Sequence, residues 1–201
     1  MGAKNSSEGA MCKESSPRKA EYKGKTVDAI LAGMPTSVTT AIEITNLSTY
    51  TLENPTFALN LGVVEYAPHA EIKPGEKRSC GFHKYWIGIK GCLGVLRYAI
   101  RDTEMCLDIF FSCPYAGFIY DRTVGIQLEN VGNVYVGASC RLLEEIDNCQ
   151  SLIKNFNKKK ATDAVAKVRN DAMNLEVTAT MRDEWKSIIH VQLTAVDVQS
   201  R

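Results

Sequence analysis

The sequence predicts a mainly β domain, a sandwich or barrel flanked by two helices, and three observations carry that expectation. Eight short segments place apolar residues at a period of two or in brief buried runs, and turn residues separate them. Two other segments read as helix, a short one at Thr26–Met34 and a longer one at Ala138–Phe156. With 201 residues, the chain is long enough for one domain that buries roughly 70% of its unfolded surface.

Taken in order, residues 1–25 are rich in Lys, Glu, Ser and Gly and poor in large apolar groups. Such a segment buries too little to offset the entropy of ordering, so it reads as a disordered polar tail ahead of a single domain at 26–201. Thr26–Met34 reads as a short helix ended by Gly33 and Pro35. Val38–Thr45 then alternates, with Val38, Ile42 and Ile44 on one face and Glu43 on the other, a half-buried strand. Further strands are expected at Phe57–Leu61, Glu76–Phe82, Cys92–Arg101, Met105–Phe111, Val124–Leu128, Leu175–Thr180 and Ile188–Val196. In the last of these Ile189, Val191, Leu193 and Ala195 point inward and His190, Gln192 and Thr194 outward. Ala138–Phe156 carries Leu142, Leu143, Ile146, Cys149, Leu152, Ile153 and Phe156 at spacings of three and four, the stripe of an amphipathic helix that would lie across one sheet. Lys154–Arg169, with Lys158-Lys159-Lys160, reads as an exposed basic connection.

Composition excludes more than it identifies. A net charge of +1 gives no global attraction to nucleic acid, so none is expected as a partner. No apolar run approaches the ~20 residues of a membrane span, and Met1–Ala10 lacks the apolar segment of a secretory signal. The chain is therefore read as soluble as synthesised. Its seven Cys form no Cys-x-x-Cys pair and none sits at ligand spacing with a His, so neither zinc nor any other metal or cofactor is expected. Cys92 and Cys106 lie in apolar strand sequence and read as small reduced hydrophobes. The nucleophile elbow, the phosphate-binding Gly loop and the zinc-binding helix motif are missing from the sequence. Nothing local orients Cys113 toward His83 or His190, so the chain reads as a non-enzyme.

One stretch does carry chemistry. Ser112-Cys113-Pro114-Tyr115 follows the apolar run Ile109-Phe110-Phe111 and precedes a second phenol, Tyr120. Pro114 fixes its own φ near −65° and biases Cys113 toward extended backbone, so a hydroxyl and two phenol rings are presented on a stiff edge. A hydroxyl beside aromatic faces suits a phosphate joined to a quaternary ammonium, and it would equally suit a sugar. A loop whose tyrosines only pack is the plainer reading.

The chain begins Met1-Gly2-Ala3-Lys4-Asn5-Ser6, which fits the pattern for N-myristoylation at Gly2. One acyl chain binds a membrane only marginally, with K about 10⁴ M⁻¹, so a second signal is needed. Cys12 as a palmitoylation site, with Lys13, Arg18, Lys19, Lys23 and Lys25 as a basic arm, would supply it.

Several segments together resemble the actinoporins, the pore-forming cytolysins of sea anemones, and more closely the actinoporin-like proteins of fish and other animals. Ala41–Leu47 is similar to the family's first long strand, Gly91–Tyr98 to its Gly-x-x-Gly-Val-Leu-x-Tyr strand, Ile109–Tyr115 to its Phe-Ser-Val-Pro-Tyr signature, and Asn174–Met181 to its penultimate strand. The resemblance implies an actinoporin-like β-sandwich that binds phosphocholine lipids, especially sphingomyelin, forms homo-oligomers on the membrane and inserts an N-terminal helix. By position, Ser112, Pro114 and Tyr120 match the family's head-group residues, Leu93 stands where the family has Val, and Tyr115 belongs to the same loop.

The chain also departs from the family. Ile119 and Thr123 stand where the family has interfacial tryptophans, and Cys140–Asn148 holds none of the head-group tyrosines of the second helix. Thr26–Met34 rises only about 13 Å as helix, against about 30 Å of bilayer core. The sequence thus leaves open a membrane-binding pore former, a non-lytic lipid- or glycan-binding module tethered through Gly2, and an oligomer formed through the long helix. The resemblance suggests a secreted toxin acting at a target cell membrane, whereas the Met-Gly start and the missing signal suggest a cytosolic protein delivered to a membrane.

Overall fold

A computed structural model describes residues 21–116, 120–130, 156–162 and 165–196. In chain order the elements are β1 (Glu21–Tyr22), α1 (Val27–Ala32), β2 (Thr39–Leu47), β3 (Leu52–Leu61), β4 (Val63–Tyr66), β5 (Glu71–Ile72), β6 (Glu76–His83), β7 (Cys92–Ile100), β8 (Met105–Cys113), β9 (Thr123–Asn130), β10 (Phe156–Lys160), β11 (Ala166–Asn170), β12 (Leu175–Met181) and β13 (Lys186–Ala195). They form two sheets. One runs β1-β6-β2-β13-β12-β11, with β4 also on β6, and the other runs β10-β9-β8-β7-β3-β5.

The β-sandwich expected from the sequence is the observed architecture. Its core lies between the sheets, where Ile42, Ile44, Phe82, Leu96, Leu107, Ile109, Phe111, Ile126, Val177, Ile189, Val191 and Leu193 are buried together. Phe82 of one sheet meets Phe111 of the other at 4.8 Å between ring centres. Strand β13 alternates as its sequence predicts, since Ile189, Val191 and Leu193 are buried while His190 and Gln192 are exposed, although Ala195 at the strand end is exposed too.

Strand β2 departs from the half-buried expectation because it is covered on both faces. Its inner side joins the core, and on its outer side Ala41 packs with Ile188 beneath Val27, Ile30 and Met34 of the α1 segment. Helix α1 itself is as the sequence indicates. The Thr26 hydroxyl accepts from the Ala29 N–H at 3.3 Å, Asp28 sits in the first turn, and Gly33 caps the end.

Glu43, expected to face water, is buried on this covered face. Burial pushes its pKa up, but the His190 hydrogen bond and Lys77 outweigh that and hold it below the ordinary value of 4.5. Lys77 Nζ and His190 Nδ1 lie 3.3 and 3.2 Å from the same Oε1. The stability this carboxylate contributes is complete above its unfolded pKa and is lost as pH falls through the lower folded value. Thermal melts from pH 6 to pH 3 are therefore expected to show a falling Tm, and Glu43→Gln to flatten that slope; parallel slopes for both proteins would exclude this origin.

Two further expectations change. Residues 21–22, inside the segment that reads as a polar tail, pair in parallel with Glu76 and Lys77, so ordered structure starts before residue 26. Lys154–Arg169 is not an open connection, since β10 pairs with β9 and β11 with β12. The helix expected at 138–156 lies outside the described residues, except that Phe156 opens β10. Among the described residues no helix is long and apolar enough to cross a membrane, and no cluster of potential metal ligands occurs.

Candidate functional site

The predicted head-group residues Leu93, Ser112, Pro114, Tyr115 and Tyr120 lie on or just beyond β7 and β8, at one end of the β10-β9-β8-β7-β3-β5 sheet. Register places Leu93 opposite both Leu61 and Ser112, Ser112 opposite Thr123, and Thr123 opposite Lys160, one row of side chains across β3, β7, β8, β9 and β10. Leu93 and Ser112 are therefore direct cross-strand neighbours, and both are half-buried. Beyond Ser112 the side chain of Cys113 is buried in the core and the chain leaves the sheet at Pro114. Gly91 packs against this exit. A Cβ there would overlap the Cys113 carbonyl oxygen and lie 2.6 Å from Pro114 Cα and 2.9 Å from Tyr115 N.

The two phenols differ. Tyr120 is 64% exposed, and its N–H donates to the Ala116 carbonyl at 3.1 Å, closing the loop. Tyr115 is half-buried, with Trp185 5.4 Å away on one side and Lys84 Nζ 5.7 Å from its ring centre. An internal cation thus already lies over the Tyr115 ring. Tyr120 is the more open ring, and Trp185, half exposed beside Tyr115, is a neighbour of the candidate site that the sequence alone does not reveal. Lys84 is another; its ammonium donates to the carbonyls of Tyr85 and Gly88 at 3.2 Å each.

Cys113 is buried beside the β12–β13 turn. Its sulfur lies 3.9 and 3.7 Å from the carbonyls of Glu184 and Trp185, and burial pushes the thiol pKa up despite nearby Arg122. His83 faces the Lys84 carbonyl and Glu65, while His190 faces Glu43. Burial likewise raises Cys92 and Cys106 and pushes Cys80 to about 12. Buried Arg122 pairs with Asp183 at 2.8 Å, and Lys160 pairs with Asp121 at 2.8 Å, around a recess of about 40 Å³. The two acids balance the two cations, so this recess is not a bare cationic pocket.

Gly2, Cys12, Ile119 and the segment Cys140–Asn148 lie outside the described residues. Thr123, the other position matched to an interfacial tryptophan, is buried within the sheet.

No protein-family model matches the chain, and no curated protein matches it by sequence. Solved structures do resemble the fold. The lipid-binding protein Nakanori shares 11% identity at a TM-score of 0.65, over 82% of this chain and 75% of its own. IP-1A from Alcaligenes faecalis shares 10% identity at a TM-score of 0.43, over 81% of this chain and 94% of its own. RahU shares 9% identity at a TM-score of 0.43, over 80% of this chain and 97% of its own. The Nakanori match shows a common sandwich fold.

Proposed function

We propose that this end of the sandwich binds the phosphocholine head groups of a membrane surface, including sphingomyelin, and does so as a binding protein rather than an enzyme. The observation that carries the reading is the placement of an open phenol, Tyr120, on the Pro-turned loop that begins at the half-buried Ser112. The Ser112 hydroxyl is the donor for phosphate oxygens, and the Tyr120 face is the seat for the trimethylammonium. Leu93 is the apolar floor beside Ser112. Tyr115, pinned by Trp185 and Lys84, stiffens the rim, and Pro114 sets its exit angle. The fold shared with a lipid-binding protein supports the same reading.

One cation–π contact is worth roughly 0.5–2 kcal/mol, so a single head group held this way binds only near the millimolar range. Membrane attachment then needs several copies or an added apolar contact. Permeabilisation is a separate matter. Helix α1, six residues long, rises about 9 Å and is packed on β2, so an inserting helix would have to be built from residues ahead of it.

Vesicle flotation and dye release should be scored together but separately, using sphingomyelin–phosphatidylcholine vesicles. The protein is expected to float with the vesicles, and Tyr120→Ala to weaken binding about 3- to 30-fold. Absence of flotation at micromolar protein overturns membrane attachment, and unchanged affinity in Tyr120→Ala overturns the head-group assignment. Dye release decides whether attachment extends to a pore.

A further inference from the structure

We infer that the loop joining β6 to β7 is a bilayer wedge, with Trp86, Ile87 and Ile89 entering the interface beside the head-group rim. This rests on the membrane reading above and adds to it the apolar contact that a single weak head-group site requires. Trp86 is 71% exposed, Ile87 92% and Ile89 78%, with Tyr85 half exposed behind them. Among the described residues no other Ile or Leu is exposed, so a short loop that presents two of them beside a Trp stands out.

The loop is ordered by polar bonds instead of by burying its own apolar groups. Lys84 Nζ bridges the carbonyls of Tyr85 and Gly88, and Gly88 turns the loop at φ +110°, with nothing within 4 Å of where a Cβ would sit. The apolar side chains therefore stay outside while the backbone is held. The loop is also fixed to the rim, because Lys84 lies over Tyr115 and Gly91 packs on Cys113, Pro114 and Tyr115. Both ends of the loop are thus seated against the rim.

Composition selects the occupant. Tyr and Trp suit the head-group layer, Ile suits the acyl boundary, and the exposed Lys90 suits lipid phosphate. Neither Asp nor Glu occurs between Glu76 and Asp102, so the loop itself carries no carboxylate to oppose an anionic phosphate layer. A tip of this size offers on the order of a few hundred Å² of apolar surface, less than the ~800 Å² per partner of a stable protein pair.

The chain has two tryptophans, so Trp185→Phe leaves Trp86 as the sole indole while keeping a ring against Tyr115. With sphingomyelin–phosphatidylcholine vesicles, Trp86 emission is expected to shift to the blue and to be quenched by lipids brominated along the acyl chain. In a second arm, Trp86→Ser with Ile87→Ser is expected to weaken vesicle binding at least about 30-fold while leaving soluble phosphocholine affinity at Tyr120, followed by NMR, unchanged. Unmoved Trp86 emission on vesicles that do float the protein overturns the wedge and leaves the rim reading intact. Failure of both flotation and phosphocholine binding overturns both. A blue shift without lipid that depends on protein concentration also overturns the wedge, because it assigns the loop to a second copy of the chain.

Discussion

Asp108→Ala is expected to lower stability by about 3–5 kcal/mol and Tm by about 10 °C or more, well beyond the loss expected from breaking an exposed ion pair. Asp108 and Arg97 are direct partners across β8 and β7, both buried on the outer face of their sheet. Arg97 Nε and Nη2 donate to the two Asp108 oxygens at 2.5 and 2.7 Å, and Nη2 also reaches Glu129 Oε2 at 2.9 Å. Burial works against the Arg97 charge, yet the Asp108 hydrogen bonds outweigh it and hold its pKa above the ordinary value.

Removing Asp108 leaves that guanidinium buried, and among the described residues Nη1 has no partner and only the half-exposed Glu129 remains to compensate the charge. The loss measures an orphaned charge, not the net worth of the pair. Arg97→Met with Asp108→Leu therefore provides the control, since replacing both members by apolar groups of similar volume is often neutral or stabilising. Chemical denaturation should show the double variant within about 1–2 kcal/mol of wild type. A double variant as unstable as Asp108→Ala would assign the loss to packing.

How far the sequence shows this molecule depends on where each residue's partners come from. Strands β2, β7, β8 and β13 are legible because their inward apolar residues pack against the opposite sheet, which enforces period two. Strand β3 is legible only from Phe57 onward. Its first half carries Pro55, Asn54 at φ +51° and a register shift between Glu53 and Thr56, so the alternation is broken there. Strand β10 is hidden by its lysines, whose charges suggest open solvent. Lys158 instead lies 5.0 Å over the Phe110 ring, and Lys160 pairs with Asp121.

The site divides along the same line. The Ser112–Leu93 neighbourhood and the Pro114 turn follow from local sequence and strand register. The different fates of Tyr115 and Tyr120 do not, because Trp185 and Lys84 arrive from the β12–β13 turn and the β6–β7 loop, remote in sequence from Tyr115. The run Tyr85-Trp86-Ile87 is inconspicuous for the opposite reason, since an apolar run reads as interior until the structure shows what lies around it.

Gly91→Ala is the change that separates a positioned rim from a merely stable one, and it is expected to reduce vesicle affinity about tenfold or more. The new methyl meets backbone at Cys113, Pro114 and Tyr115, and backbone cannot rotate away as a side chain can. Relief comes from moving the β8 exit away from β7, which tilts Tyr115 off Trp185 and carries the Ser112–Tyr120 loop with it. A stability cost of about 1–3 kcal/mol accompanies the shift. Gly75→Ala is the matched control. That residue has φ +80° and nothing within 4 Å of where the added methyl would sit, so the variant loses about 1 kcal/mol through backbone conformation alone, in the turn before β6. Flotation of both variants at a temperature where each remains folded discriminates the two effects. Reduced binding for Gly91→Ala alone ties affinity to rim geometry, whereas equal binding by both variants and wild type would show that the Pro114 exit has no part in holding lipid.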